Sequence, residues 1–280
     1  MIADLPQEII DRIIDYVALN PSSETRHITR DLKTLSLLSS KLRHRSGTYL
    51  FQALELTPVS FPIWCEVVRA GRDGPSRFVA YLRYKPSWIE VERRIGPSEE
   101  LACSPSHISA FTHLRTLHFV EISLQHAGYL NCFRGLVPSV RELWFEDCQM
   151  DITQFVSFVR PFARLEHLRL MRPQCPNENK LQHWDMAEPP PLNGILEYHE
   201  AASQHIASFV QEFSLLPASF HTIVFRERLE TPTATNRLLA ASRMTLTKLT
   251  FGHGSEVHSC STRKRLAQIT VFSHTKGYQP

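Results

Sequence analysis

Apolar residues recur along this chain in one motif, apolar-x-x-apolar-x-apolar. The copies are Leu114/Leu117/Phe119, Val140/Leu143/Phe145, Leu165/Leu168/Leu170, Phe220/Ile223/Phe225 and Leu246/Leu249/Phe251. Successive middle positions are 26, 25, 55 and 26 residues apart. The 55 is close to two periods and predicts a further unit near residue 195, which Leu196 and Tyr198 supply and Asn193 degrades at its first position. An earlier, less regular copy is Val79/Leu82/Tyr84. The alternation that closes each unit predicts a short strand with its apolar side chains on one face. Helical stripes fall between the strands: Ile152, Phe155, Val156 and Val159; Ile206, Phe209, Val210, Phe213 and Leu216; and, more weakly, Ala127, Leu130, Phe133 and Leu136. One strand and one helix per unit predict an α/β horseshoe of short parallel strands and helices, the strands lining its concave face.

The first fifty residues follow a different rhythm. Leu5-Pro6-Gln7-Glu8 predicts a helix start, because proline is tolerated where a helix leaves its N–H unused and an acid suits the first turn. Ile9, Ile10, Ile13, Ile14 and Val17 continue it as one stripe. A polar stretch, 20–30, precedes a second helix expected over about 31–45, with Leu32, Leu35, Leu38 and Leu42 on one side. Tyr49-Leu50-Phe51 is a third, short apolar element. Three short helices build a very small core, which a partner or neighbouring domain usually completes.

Composition narrows the function. Of 280 residues, 42% are hydrophobic and 21% charged, an ordinary globular balance. A net charge of +3 is too mild to imply nucleic acid. The six cysteines form no Cys-x-x-Cys pair, and with no secretory signal they read as reduced thiols. No apolar run is long enough to span a bilayer. The expected location is cytoplasmic or nuclear, away from membranes.

These residues carry a resemblance. Leu5-Pro6-x-Glu8-Ile9-Ile10-x-x-Ile13-Ile14, then Leu32-Lys33-Thr34-Leu35-Ser36-Leu37-Leu38-Ser39, then Leu50-Phe51, resemble the start, middle and end of an F-box. The period of about 26 falls in the leucine-rich-repeat range. The whole resembles the F-box and leucine-rich-repeat proteins numerous in mushroom-forming fungi. The resemblance implies a small three-helix F-box over residues 1–56 and an irregular leucine-rich-repeat solenoid over residues 57–280. It implies a substrate-recognition adaptor of an SCF (cullin-RING) ubiquitin ligase, acting in ubiquitin-dependent protein degradation. The F-box would bind a Skp-type adaptor through Leu5, Pro6, Ile9, Leu35, Leu38 and Leu42, lying on or behind that surface, and the solenoid would bind a protein substrate. Leu42 stands where the family usually has tryptophan, and the 20–30 loop is longer than most. The alternative is a non-catalytic repeat scaffold in which the helices serve only as a cap.

Two segments depart from the repeat. Residues 173–191 hold five prolines and read as an inserted loop. Residues 255–280 contain no unit, so the last repeat is expected to be poorly covered, as at a truncated end. The position after the strand, Asn or Cys in the usual repeat, is met only by Cys148, the others being Ile122, Pro173, Arg228 and Gly254.

No nucleophile–base pair, phosphate-cradling glycine loop or metal-ligand spacing appears, so no catalytic residue, metal or cofactor is assigned. Candidate substrate-binding residues lie between or beside the strand anchors: Arg115, His118, Arg141, Trp144, Arg169 and Arg226. Trp and Arg are favoured interface anchors.

Overall fold

The computed structural model describes residues 5–19, 25–57, 60–69, 74–85, 111–124, 133, 138–150, 152–162, 164–174, 192–199, 218–225, 236, 238–240, 242–253 and 256–261. They belong to two compact units, residues 1–122 with 126–143, and residues 123–125 with 144–280.

The first unit opens with α1 (Gln7–Ala18), α2 (Thr25–Leu38) and α3 (Ser40–Leu50). Pro6 stands directly before α1, and its carbonyl accepts the N–H groups of Ile9 and Ile10. The helix expected over 31–45 is in fact two. Ser39 is extended (φ −161°, ψ 152°) and its hydroxyl accepts the Lys41 N–H at 3.1 Å, which ends α2 and caps α3. Leu42 therefore lies on α3, and Tyr49 and Leu50 end that helix. Residues 25–30, read as loop, are the first turns of α2.

Ile10, Ile14, Leu32 and Leu42 form a core of their own, with Leu5, Ile28, Leu35, Tyr49 and Leu50 packed around it. Gln7 reaches the Lys41 carbonyl while Asp15 meets Arg45 and Tyr49, so α1 and α3 run side by side in the same direction. Within α3, Gly47 leaves room for Phe78: a Cβ there would meet its ring at 3.0 Å.

The unit continues through β1 (Ala53–Leu56), α4 (Ser60–Arg69), a 3-10 turn at Pro75–Phe78, β2 (Tyr81–Tyr84) and β3 (Thr116–Val120). The three strands are parallel and paired in chain order. Leu82 pairs with Leu117 and Tyr84 with Phe119, the register the repeat spacing predicts. β1 was not picked out from the sequence, although Phe51/Leu54/Leu56 carries the motif; Leu54 and Leu56 fall in line with Leu82 and Tyr84. Behind it Phe61, Tyr84, Phe119 and Phe133 pack with ring centroids 5.3–6.4 Å apart.

β4 (Glu142–Glu146) leads into the second unit, followed by α5 (Ile152–Val159), β5 (His167–Met171), β6 (Leu192–His199), β7 (Ala218–Phe225), β8 (Lys248–His253) and β9 (Glu256–Ser261). Leu168, Leu196, Ile223 and Leu249 align across β5–β8, as do Leu170, Tyr198, Phe225 and Phe251. The degenerate unit near residue 195 is thus a full strand. Asn193 is exposed, Leu192 is buried, and the pairing slips at Gly194/Ile195. Gly194 has φ +95°, and a Cβ there would lie 2.3 Å from the Glu166 carbonyl oxygen, so only glycine fits. Phe155 and Phe158 of α5 pack on Phe145.

The class is α/β: an open sheet of eight parallel strands with helices, and a ninth strand that is antiparallel. β9 pairs along β8 from His253↔Glu256 to Lys248↔Ser261. The expectation that the last repeat is uncovered is corrected for this edge, since β9 satisfies the backbone groups that a terminal parallel strand would expose.

One repeating device escaped the sequence reading. Glu121, Asp147 and Arg172 are left-handed, with φ of 55°, 52° and 48°. Each stands four residues after its unit's middle leucine. The bend turns the chain out of the strand and buries the next residue, Ile122, Cys148 or Pro173. Hydrogen bonds offset the strain: Asp147 N–H donates to the Met171 carbonyl, and Arg172 N–H to that of His199, both at 2.9 Å. Ser123, Gln149 and Gln174 then bridge in parallel two positions on. The stripe at 206–216 and the prolines of the inserted loop beyond Pro173 lie outside the described residues, as do residues 262–280.

Candidate functional site

Two surfaces carry the residues that the sequence singled out. The first belongs to the three helices. Because Ile10 and Ile14 take the core, Ile9 and Ile13 point outward, 41% and 42% exposed. Tyr16 continues their stripe at helical spacing. Leu37 and Leu38, which close α2, are 80% and 63% exposed. Pro6 is exposed, Leu5 and Leu35 are half-buried against the helical core, and Leu42 lies within it. Of the six residues named for a partner surface, Leu42 is the one enclosed in the helical core. Leu37, Ile13 and Tyr16 were missed, although their helical phase is readable once the core side of each helix is known.

An ion pair holds this surface in shape. Arg45 grips Asp15 through Nε and Nη2 at 2.7 and 2.9 Å, and the Tyr49 hydroxyl donates to the same carboxylate at 2.9 Å. The Arg45 hydrogen bond draws the Asp15 carboxyl below its ordinary pKa against the opposing effect of burial. Burial, then the bond to Asp15, pushes the Tyr49 phenol up.

The second surface is the face of the strands opposite the apolar anchors. In the first unit Tyr81 bonds His118, Arg83 pairs with Glu55 at 3.0 Å, and Lys85 with Glu121 at 3.0 Å. His118 is buried beside Tyr81, so it is not open to a partner. Arg115 is exposed and Arg141 half-buried, both just ahead of strands and joined by the Arg141 N–H to the Arg115 carbonyl at 2.8 Å. Arg226 lies outside the described residues.

In the second unit this face gathers a cluster. Register places Arg169 beside Glu197 and Met171 beside His199. The Glu197 side chain is only 9% exposed. His199 Nε2 lies 3.0 Å from its Oε1; His167 Nε2 and Arg169 Nε lie 3.4 and 3.5 Å from its Oε2. The Arg169 guanidinium also stacks over the Trp144 ring, 4.9 Å from its centroid. Trp144 and Arg169, both named as candidate binding residues, are brought by the fold into one group. Glu197, His167 and His199 were missed, because residues 25 to 30 apart in sequence meet only once strand register is fixed.

Among the described residues no group of three or more His, Cys, Asp or Glu is arranged to hold a metal ion, and no helix is long and apolar enough to cross a membrane. No family model matches the chain, and no curated protein matches it.

Proposed function

We propose that this chain is a substrate-recognition adaptor of a cullin-RING ubiquitin ligase, its helices an F-box that holds a Skp-type adaptor and its strands an irregular leucine-rich-repeat solenoid that holds a protein substrate. The observation that carries the reading is the exposed apolar set Ile9, Ile13, Tyr16, Leu37 and Leu38, displayed over a separate small core. Large apolar side chains left in water on a marginal three-helix unit fit a surface that a partner covers. The repeat reading is supported by the recurrent strand, left-handed bend and bridge at spacings of 25 and 26 residues. One polar face on parallel strands, instead of burial on both sides, fits a solenoid better than a sheet sandwiched between helices.

In this mechanism the chain performs no bond chemistry. It raises the effective concentration of a substrate lysine near a charged conjugating enzyme. The test is co-purification with a Skp-type protein. Leu37→Asp with Leu38→Asp loses the burial of two leucines, each worth about 1.5–3 kcal/mol, so affinity falls at least about a hundredfold. Leu5→Ala with Pro6→Ala weakens binding as well. Unchanged binding in both double variants rejects the adaptor and leaves the scaffold, in which the helices only cap the repeats.

A further inference from the structure

Resting on the reading of the repeat strands as a substrate surface, we infer that the cluster Trp144, His167, Arg169, Glu197 and His199 receives a carboxylate side chain from an acidic segment of the protein partner. The inference stands on donors left over after the cluster's own pairing. Glu197 is the cluster's sole carboxylate, and three groups already approach it: His199 Nε2, His167 Nε2 and Arg169 Nε. The last two are buried and lack hydrogen-bond geometry to any partner among the described residues. Arg169 Nη2 lies 3.3 Å from His199 Nε2, a nitrogen that cannot accept from it while donating to Glu197, and Nη1 has no partner among the described residues. A guanidinium carries five N–H groups and no acceptor, so this site is rich in donors and short of acceptors.

Position favours a ligand too. Trp144 holds the guanidinium from one side, which removes part of the ordering cost of a two-point bond to a carboxylate. Half-buried Ile195, Thr222 and Val224 on the same face of β6 and β7 offer apolar contact to the rest of an extended segment. A polyanion fits badly. Glu146 and Asp147 already hold Arg172, and Glu166 is exposed at the start of β5. Those carboxylates repel a phosphate backbone but leave room for one acid at Arg169.

The test uses the full chain and immobilised peptides of about twelve residues, long enough to cross several strands about 4.8 Å apart. Each peptide carries one Glu or Asp among apolar residues and is matched to its Gln or Asn twin. Acidic peptides are retained at least about tenfold better than their twins; Arg169→Gln abolishes the preference and Arg169→Lys keeps part of it. Arg169→Gln strands the Glu197 carboxylate, so the double variant Arg169→Gln/Glu197→Gln, which removes both charges, is run beside it and also loses the preference while keeping its circular dichroism. Equal retention of the twins, retention of no peptide, or preference for a thymidylate oligonucleotide overturns the inference. Skp-type binding is read on the same preparations. Arg169 variants leave it intact, and Leu37/Leu38 variants abolish it without changing peptide retention, so the two readings fail separately.

Discussion

Gly194→Ala tests the physical account of the repeat stack at its tightest point. The added methyl would sit 2.3 Å from the Glu166 carbonyl oxygen and 2.8 Å from its carbon, both backbone atoms that cannot rotate away. Relief requires β6 to move about 1 Å from β5, and that motion stretches the bond from Ile195 N–H to the Glu166 carbonyl, now 2.8 Å. The backbone at φ +95° adds strain of about 1–3 kcal/mol for any residue but glycine. A buried hydrogen bond lost costs about 1–3 kcal/mol more. We take about 3 kcal/mol as the sum. For a domain of roughly 150 residues that lowers the thermal midpoint by about 6–12 °C. Circular dichroism melting against the exposed control Asn193→Ala measures it. Hydrogen exchange should place the loss along 167–171 and 195–199. Because Glu197 and His199 follow on the same strand, acidic-peptide retention falls with it. A midpoint within about 2 °C of the parent would refute the reasoning.

Two further outcomes follow from the helical segment. Leu42→Ala removes a core side chain and costs about 2–5 kcal/mol, whereas Ile9→Asp, at an outward position of the same segment, leaves the melting midpoint nearly unchanged and weakens Skp-type binding; urea melts beside pull-downs separate the two effects. Asp15 titrates below its ordinary value near 3.8 because of Arg45, so its stabilising effect is fully present above that pH and is lost as pH falls through the lowered value. Acid unfolding followed by circular dichroism should lose that part of its pH dependence in Asp15→Asn, and an unchanged acid limb would count against the ion pair.

The apolar skeleton was legible because burial leaves a periodic trace. Spacing alone aligned Leu82 with Leu117, and Leu168 with Leu196, Ile223 and Leu249, and the strand registers pair them so. What was not legible had local or long-range causes. The break at Ser39 depends on one hydroxyl capping Lys41, a contact that competes with a continuous leucine stripe running through it. β1 carries the motif as Phe51/Leu54/Leu56, but Phe51 reads as part of the third apolar element of the helical segment, which hid the unit. β9 pairs antiparallel, so no motif of the parallel units marks it. The bends at Glu121, Asp147 and Arg172 use three different residue types, of which only Asp favours a left-handed backbone, so their regularity is one of conformation and not of sequence.

The polar face of the strands explains why the candidate site stayed hidden in sequence. Parallel strands covered on both sides read as continuous apolar runs. Here the face opposite the anchors carries polar pairs instead: Glu55 and Arg83 across β1 and β2, and Arg169 and Glu197 across β5 and β6. Such pairs are set by neighbours one repeat away, so no local window contains both members. Exposed pairs of this kind contribute little to stability, and Arg83–Glu55 fits that expectation. Glu197 differs. Its carboxylate is nearly buried, and burying a charge costs several kcal/mol unless close partners offset it. One of its oxygens has a close partner, His199 Nε2 at 3.0 Å, while His167 and Arg169 stand off the other at 3.4 and 3.5 Å, with Trp144 held over the arginine. A structure built for stability alone would close those distances or replace the group with packed hydrocarbon. The arrangement is better suited to exchange, in which an incoming carboxylate shares Arg169 with Glu197.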